Sequence, residues 1–233
     1  MTTDVRDSIS ASVSSQWVGS TLIIRFDDGK ANVLSTSTIE QLNQELDKAN
    51  EAKAICILGR QGFFCAGYDL DELASGIDQS RELGKAGRIF LRRLIATDLP
   101  VVVGVSGHAL AAGAALTLAC DFRIGSRGPF RIGFNELANG LPLSELTIEL
   151  AARRLASGAL EKAILGSELS DPERAVHLGF LDAVVEPSEL EAAAIAQAQR
   201  LARVDSTVMR TTKARLRKVR SCHESQEGGQ KTA

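Results

Sequence analysis

Long apolar runs, clustered metal ligands, basic blocks and aromatic residues are all scarce in this chain of 233 residues. No uninterrupted apolar run reaches the roughly 18 residues that a bilayer span requires, so the sequence predicts no membrane helix and no membrane partner. The opening stretch MTTDVRDSISASVSS carries acids early and has no apolar centre, which is not the pattern of a secretory leader and points to a cytoplasmic location. Acidic residues number 29 against 27 basic ones, and no basic block is interleaved with aromatics, which argues against a nucleic-acid partner. The four cysteines, Cys56, Cys65, Cys120 and Cys222, and the three histidines fall at no metal-ligand spacing. The cysteines read as reduced thiols filling space, with Cys65 the one near any chemistry. No Ser/His/Asp arrangement or zinc motif is legible from the spacing.

What remains is an ordinary globular composition, 44% hydrophobic and 24% charged, in a chain long enough to bury a sizeable core. A polar, Ser-rich stretch of residues 1–16 is expected to be flexible. Trp17 to Phe26 reads as one strand, with Leu22, Ile24 and Phe26 alternating. Ser35 or Ser37 can cap a helix whose apolar residues Ile39, Leu42 and Leu46 recur at spacings of three and four. Ala54 to Leu58, the run starting at Pro100, and Phe122 to Ile124 supply further strands. Strands separated by helical spans argue for parallel β-α units.

Two stretches between these elements carry the chemical signal. PVVVGVSGHALAAGAALTLACD, residues 100–121, reads as a buried strand, a tight turn at Ser106-Gly107, and a helix whose first turn is Ala and Gly. Small side chains let a ligand approach the unpaired N–H groups at that helix N-terminus, where an oxygen gaining negative charge is the natural guest. Tight packing of a helix on a sheet would use the same residues. The second stretch, RQGFFCAGYDL at residues 60–70, ends on Ala66-Gly67-Tyr68 before an acidic helix start. Gly67 lets the backbone turn sharply and present the amide of Tyr68 to the crevice; a plain β-α turn with a cap is the simpler alternative.

Taken together the two stretches are specific. Phe64-x-Ala66-Gly67-x-Asp69-Leu70 followed by Pro100-Val101-Val102 and Gly107-x-Ala109-x-Ala111-Ala112-Gly113 resembles the crotonase family, the enoyl-CoA hydratase/isomerase superfamily. Lys30-Ala31-Asn32-Val33-Leu34, Cys120-Asp121-Phe122-Arg123, Phe134-Asn135-Glu136, Gly140-Leu141-Pro142 and Gly179-Phe180-Leu181-Asp182 resemble further landmarks of the same family, in order, from about Trp17 to Lys218. The resemblance implies an α/β spiral of β-β-α repeats over residues 17–186, a helical C-terminal region over 187–220 that serves assembly into a homotrimer or a dimer of trimers, and a disordered tail from 221 to 233. It also implies an acyl-CoA thioester substrate, with coenzyme A entering as part of that substrate and no permanently bound cofactor. The backbone N–H groups of Tyr68 and Ala112 fall at the positions that hydrogen-bond the thioester oxygen as an enolate develops. Lys30, Ala31, Ala66, Gly67 and Leu70 fall where the family contacts acyl-CoA.

The acids bear on the reaction. Hydratases of the family use two glutamates, and the position of the first is taken here by Ala115, three residues after Ala112. The second falls on Glu136, whose context resembles the enoyl-CoA isomerases. One carboxylate is enough to move a proton between two carbons, so a Δ3-Δ2-enoyl-CoA isomerase is the favoured reading. Glu136 also suits a helix start as a plain dipole partner. Glu145 is either a second acid reaching in from the next helix or a solvated charge. His108 reads as a structural or pocket-lining residue. A hydratase-like lyase, a thioester hydrolase and a non-catalytic acyl-CoA binder are the alternatives. The basic residues Lys213, Arg215, Arg217, Lys218 and Arg220 read as a solvated helix face or as partners for CoA phosphates.

Overall fold

The computed structural model describes residues 12–227, with side chains described to residue 218. The elements in chain order are β1 (Val13–Val18), β2 (Thr21–Phe26), β3 (Val33–Leu34), α1 (Thr36–Asp47), β4 (Ala54–Gly59), β5 (Gly62–Cys65), β6 (Gly67–Tyr68), α2 (Leu70–Ala74) and α3 (Ile77–Ala96). They continue with β7 (Val101–Val105), β8 (Gly107–Leu110), α4 (Ala112–Ala119), β9 (Phe122–Ser126), β10 (Ile132–Gly133) and α5 (Glu145–Arg154). The last are α6 (Leu160–Ile164), α7 (Pro172–Leu178), β11 (Ala183–Val185), α8 (Leu190–Ala202) and α9 (Ser206–Glu227).

The repeat is visible in the pairing. One sheet runs β1-β2-β4-β7-β9-β11 and a second runs β10-β8-β5, so three successive turns of chain each add one strand to both sheets before a helix. β4 then β5, β7 then β8, and β9 then β10 are those turns, closed by α2–α3, α4 and α5 respectively. Apart from the β1–β2 hairpin, every paired strand of the large sheet is parallel. Its central strands are apolar on both faces, as parallel sheets require. Leu22, Ile24, Ile55, Ile57, Val101 and Val103 join the main core, while the alternate residues Ile23, Cys56, Leu58 and Val102 pack under α8. Local caps fix the helices: Ser35 Oγ accepts from Thr38 N–H, Asp69 from Glu72 N–H and Ser144 from Thr147 N–H.

Several expectations are corrected. The strand expected from Trp17 to Phe26 is a hairpin, broken where Gly19 takes a positive φ of 62°. Residues 13–16, expected to be flexible, are paired in β1, because Ser14 to Gln16 hydrogen-bond as an edge strand whatever their polarity. Residues 1–11 of that stretch lie outside the described residues. The tight turn at Ser106-Gly107 is instead the start of β8; a Cβ at Gly107 would stand 2.0 Å from the Gly62 carbonyl, so only glycine lets β8 lie against β5. Helix α9 continues through residues 221–227, expected to be part of a disordered tail, and 228–233 lie outside the described residues.

Candidate functional site

The two signal stretches meet. β3 and β6 pair in parallel; Ala66 N–H donates to Ala31 O and Asp69 N–H to Leu34 O, each at 3.1 Å. The next amide, that of Asp69, faces β3, so by the alternation of a strand the N–H of Tyr68 faces away from it; the positive φ of Gly67 breaks that alternation on the Ala66 side. Gly67 holds a φ of 102°, and a Cβ there would stand 3.1 Å from the Ala111 Cβ and 3.6 Å from the Ala112 nitrogen. Ala112 opens α4, so its N–H belongs to the first turn, which has no partner within the helix. Directly before it Ala111 sits at φ 51° and ψ −119°, a conformation a non-glycine residue adopts only when its surroundings enforce it. Two hydrogen bonds enforce it: Ala111 N–H donates to Gly133 O at 3.0 Å, and Ala111 O accepts from Ala115 N–H at 3.1 Å. Gly113 closes the contact, since a Cβ there would lie 2.1 Å from the Cys65 carbonyl oxygen.

That Gly133 contact also delivers the acid. Phe134, directly after the Gly133 that bonds Ala111 and fully buried, anchors the segment, and Glu136 follows two residues later, half-buried. Its Oε2 is buried without a hydrogen-bond partner. Burial raises the Glu136 carboxyl above the ordinary range, against the opposing effect of the backbone amides of Glu136 and Asn135. Burial likewise pushes the Tyr68 phenol up to about 12, with Arg88 opposing and the charges of Cys65 and Glu136 adding. Amides at a helix start and a carboxylate with one unpartnered oxygen and a raised proton affinity are the groups that abstraction of a proton next to a carbonyl requires.

The other singled-out residues divide by position. Ala31 and Ala66 are joined by the hydrogen bond above, and Asn32, buried in the left-handed region at φ 52°, donates through Nδ2 to the carbonyls of Phe26, Phe63 and Phe64. The Lys30 side chain is exposed, while its carbonyl accepts from the Arg60 guanidinium. Leu70, 72% exposed, stands at the start of α2 beside the amide turn. Ala115 is fully buried in α4. Glu145 is exposed in the first turn of α5. His108 is structural: its Nδ1 accepts from Arg131 N–H at 3.0 Å and its ring lies between Phe63 and Phe130. Cys65 is fully buried with its thiol pushed up to about 12 by burial, so it stays protonated. Arg123 and Asp182, two of the sequence landmarks, are one ion pair, reinforced by Arg123 N–H to Asp182 Oδ2 at 2.8 Å and Arg123 Nη1 to Gly179 O at 2.6 Å. The basic face expected on α9 is corrected in part: Lys213 is buried against Asp121 and Arg217 bonds Thr97 O and Asp98, while Arg215 and Lys218 are exposed. The Arg220 side chain lies outside the described residues.

Sequence reasoning used only the backbone of Tyr68 and overlooked its side chain and Gly87. The signal was present: Tyr68 is the sole tyrosine of the chain, and Gly87 stands in mid-helix, where glycine is costly. A separate cavity of about 450 Å³, lined among others by Leu46, Arg93, Pro100, Val204 and Arg210, lies at the opposite, amino end of β4 and β7.

A β-β-α spiral in which the Ala66-Gly67 turn meets the N-terminus of α4 is the crotonase fold. The chain matches the enoyl-CoA hydratase/isomerase family model over residues 18–231 and belongs to that family. It is 28% identical over 178 residues to the short-chain-enoyl-CoA hydratase of Clostridium acetobutylicum, covering 74% of this chain and 68% of that protein. It is also 27% identical over 203 residues to the human mitochondrial enoyl-CoA delta isomerase 1, covering 84% of this chain and 67% of that one. The chain thus spans about two thirds of the length of these curated relatives. Among solved structures, an enoyl-CoA hydratase/isomerase family protein from Pseudomonas syringae superposes with a TM-score of 0.87 at 34% identity, over 91% of this chain and 93% of that one. Relatives named as hydratase and as isomerase both match, so membership alone leaves the reaction open.

Proposed function

We propose that this protein is a Δ3-Δ2-enoyl-CoA isomerase that works with a single carboxylate, Glu136. The observation that carries the proposal is the pairing of an unpartnered, buried Glu136 Oε2 with a fully buried methyl group at Ala115, where a second acid would be needed to hold water. The thioester oxygen of a 3-enoyl-CoA accepts hydrogen bonds from Tyr68 N–H and Ala112 N–H. Glu136 takes a proton from C2, and the electron pair passes into the carbonyl to give an enolate. The same proton returns at C4 as the electrons flow back, so the double bond moves from C3–C4 to C2–C3 with no atom gained or lost. The two amides stabilise the charge that develops, and removing one such donor costs about 2.7 to 4 kcal/mol of barrier in comparable sites.

The test offers the protein saturated, 2-enoyl and 3-enoyl thioesters and scores double-bond shift, 3-hydroxyacyl product and free CoA. The expected outcome is conversion of the 3-enoyl thioester far faster than hydration of the 2-enoyl one. Efficient hydration by the wild type would overturn the single-carboxylate reading and direct attention to Glu145. Release of CoA would mark a hydrolase, and binding without turnover a non-catalytic relative.

A further inference from the structure

Tyr68 contributes more to the crevice than its amide. Its ring lies on the backbone of α3: a Cβ at Gly87 would stand 2.1 Å from the phenol oxygen and 2.6 and 2.7 Å from Cε1 and Cζ. Gly87 is buried in the inward stripe of α3 with Leu83, Phe90 and Leu94, all of which carry large side chains. Glycine in a helix interior is destabilising relative to alanine, so a glycine there calls for a reason, and the seat for the ring is that reason. The direction of the ring follows from its neighbours. The phenol is near enough to Glu136, Cys65 and Arg88 for their charges to act on it. In the reaction proposed above Glu136 acts on C2 and C4 while the Tyr68 amide holds the thioester oxygen, so a ring attached to that amide and close to Glu136 stands where the acyl chain runs.

We infer that the Tyr68 ring, seated on Gly87, is the wall that ends the acyl pocket, so that the protein selects short acyl chains. The inference rests on the acyl-thioester reading above and adds the class of substrate. A chain that continues past the reacting carbons meets an aromatic ring backed by helix backbone, which cannot retreat. Removing the ring opens the notch at Gly87 and exposes the stripe of Leu83 and Phe90 as an apolar continuation. The wall acts by volume and not through its hydroxyl.

The test measures dissociation constants for butanoyl, octanoyl and dodecanoyl CoA, which need no turnover. In the wild type the longer chains are expected to bind no more tightly than butanoyl. Tyr68→Ala should improve dodecanoyl relative to butanoyl by roughly tenfold or more, the return for newly buried methylenes. Tyr68→Phe should keep the wild-type order. Tighter binding of dodecanoyl than butanoyl by the wild type overturns the wall without any variant. So does an unchanged order in a folded Tyr68→Ala protein, or a Tyr68→Phe profile that shifts as far as that of Tyr68→Ala. If the folded wild type binds none of the three thioesters, the acyl-thioester reading fails and the wall fails with it, an outcome distinct from a flat length profile.

Discussion

Glu136 is stabilised poorly, and in the proposed reaction that would serve its chemistry. A carboxylate with one oxygen buried and unpartnered is a stronger base than an exposed one, and the raised proton affinity is the measure of that. Glu136→Gln keeps the shape and removes the base, so isomerisation should fall by about 10²- to 10⁴-fold while thioester affinity changes little. Normal turnover by the variant would remove Glu136 from the mechanism. Two pH dependences follow from the same shift. As the pH falls, kcat/KM should drop with a midpoint above the usual glutamate value of about 4.3, because the base is lost on protonation. Stability runs the other way. A group whose folded pKa is raised contributes stability that is present below the unfolded pKa and lost as pH rises through the folded one. Glu136→Gln should therefore be more stable than wild type at neutral pH, the gap closing below about pH 4. Equal urea midpoints at neutral pH would contradict the burial penalty.

At the scale of elements, the proposed site is the N-terminus of α4 and the three contacts that aim it. Ala111 is pinned by β10, Gly113 abuts the carbonyl of Cys65, and Gly67 abuts Ala111. Ala112 is the first residue of the helix, so Ala112→Pro removes the N–H without taking a hydrogen bond from α4, although a proline there also restricts Ala111 before it. Turnover should fall by at least the roughly hundredfold expected of one lost donor while circular dichroism stays native. Full activity in a folded variant would remove Ala112 from the site. Much of this was legible. Ala-Gly turns, small residues after a Val-rich strand and a serine cap before a 3,4-spaced helix are local signals, and those elements formed where expected. The short strands β5, β6, β8 and β10 were not legible, because two to four residues carry too little periodicity and each forms only against a strand far away in the chain. The Tyr68 seat was missed for a related reason: a mid-helix glycine and a sole tyrosine are visible, but nothing local pairs them across 19 positions.

At the scale of the whole molecule, the C-terminal helices are fastened to the end of the sheet remote from the site. Lys213 Nζ donates to Asp121 Oδ2 and to Leu99 O, each at 2.5 Å, and Arg217 bonds Thr97 O and Asp98. In sequence this segment was only a run of cations. Which of them turn inward depends on where Asp98 and Asp121 lie once β7 and β9 are formed, and no local pattern reports that. Burial lowers the Lys213 pKa despite the nearby Asp121 charge, so the pair is costly to desolvate, and its net contribution is expected to be small although breaking it is not. Lys213→Met leaves Asp121 with Val101 N–H at 2.9 Å and Arg154 at 4.0 Å as its nearest donors, and should cost about 3 kcal/mol, the lower end of the range for a broken buried pair. Adding Asp121→Asn removes the stranded charge and keeps an acceptor for Val101 N–H. The double variant should therefore be more stable than Lys213→Met alone, a coupling expected of residues in contact. Urea unfolding of the two single variants and the double one decides the point: additive losses would show that the pair is not one unit. Thioester turnover well below the melting temperature should stay near wild type in all three, because the pair anchors the amino ends of β7 and β9 while the proposed reacting groups stand at the N-terminus of α4.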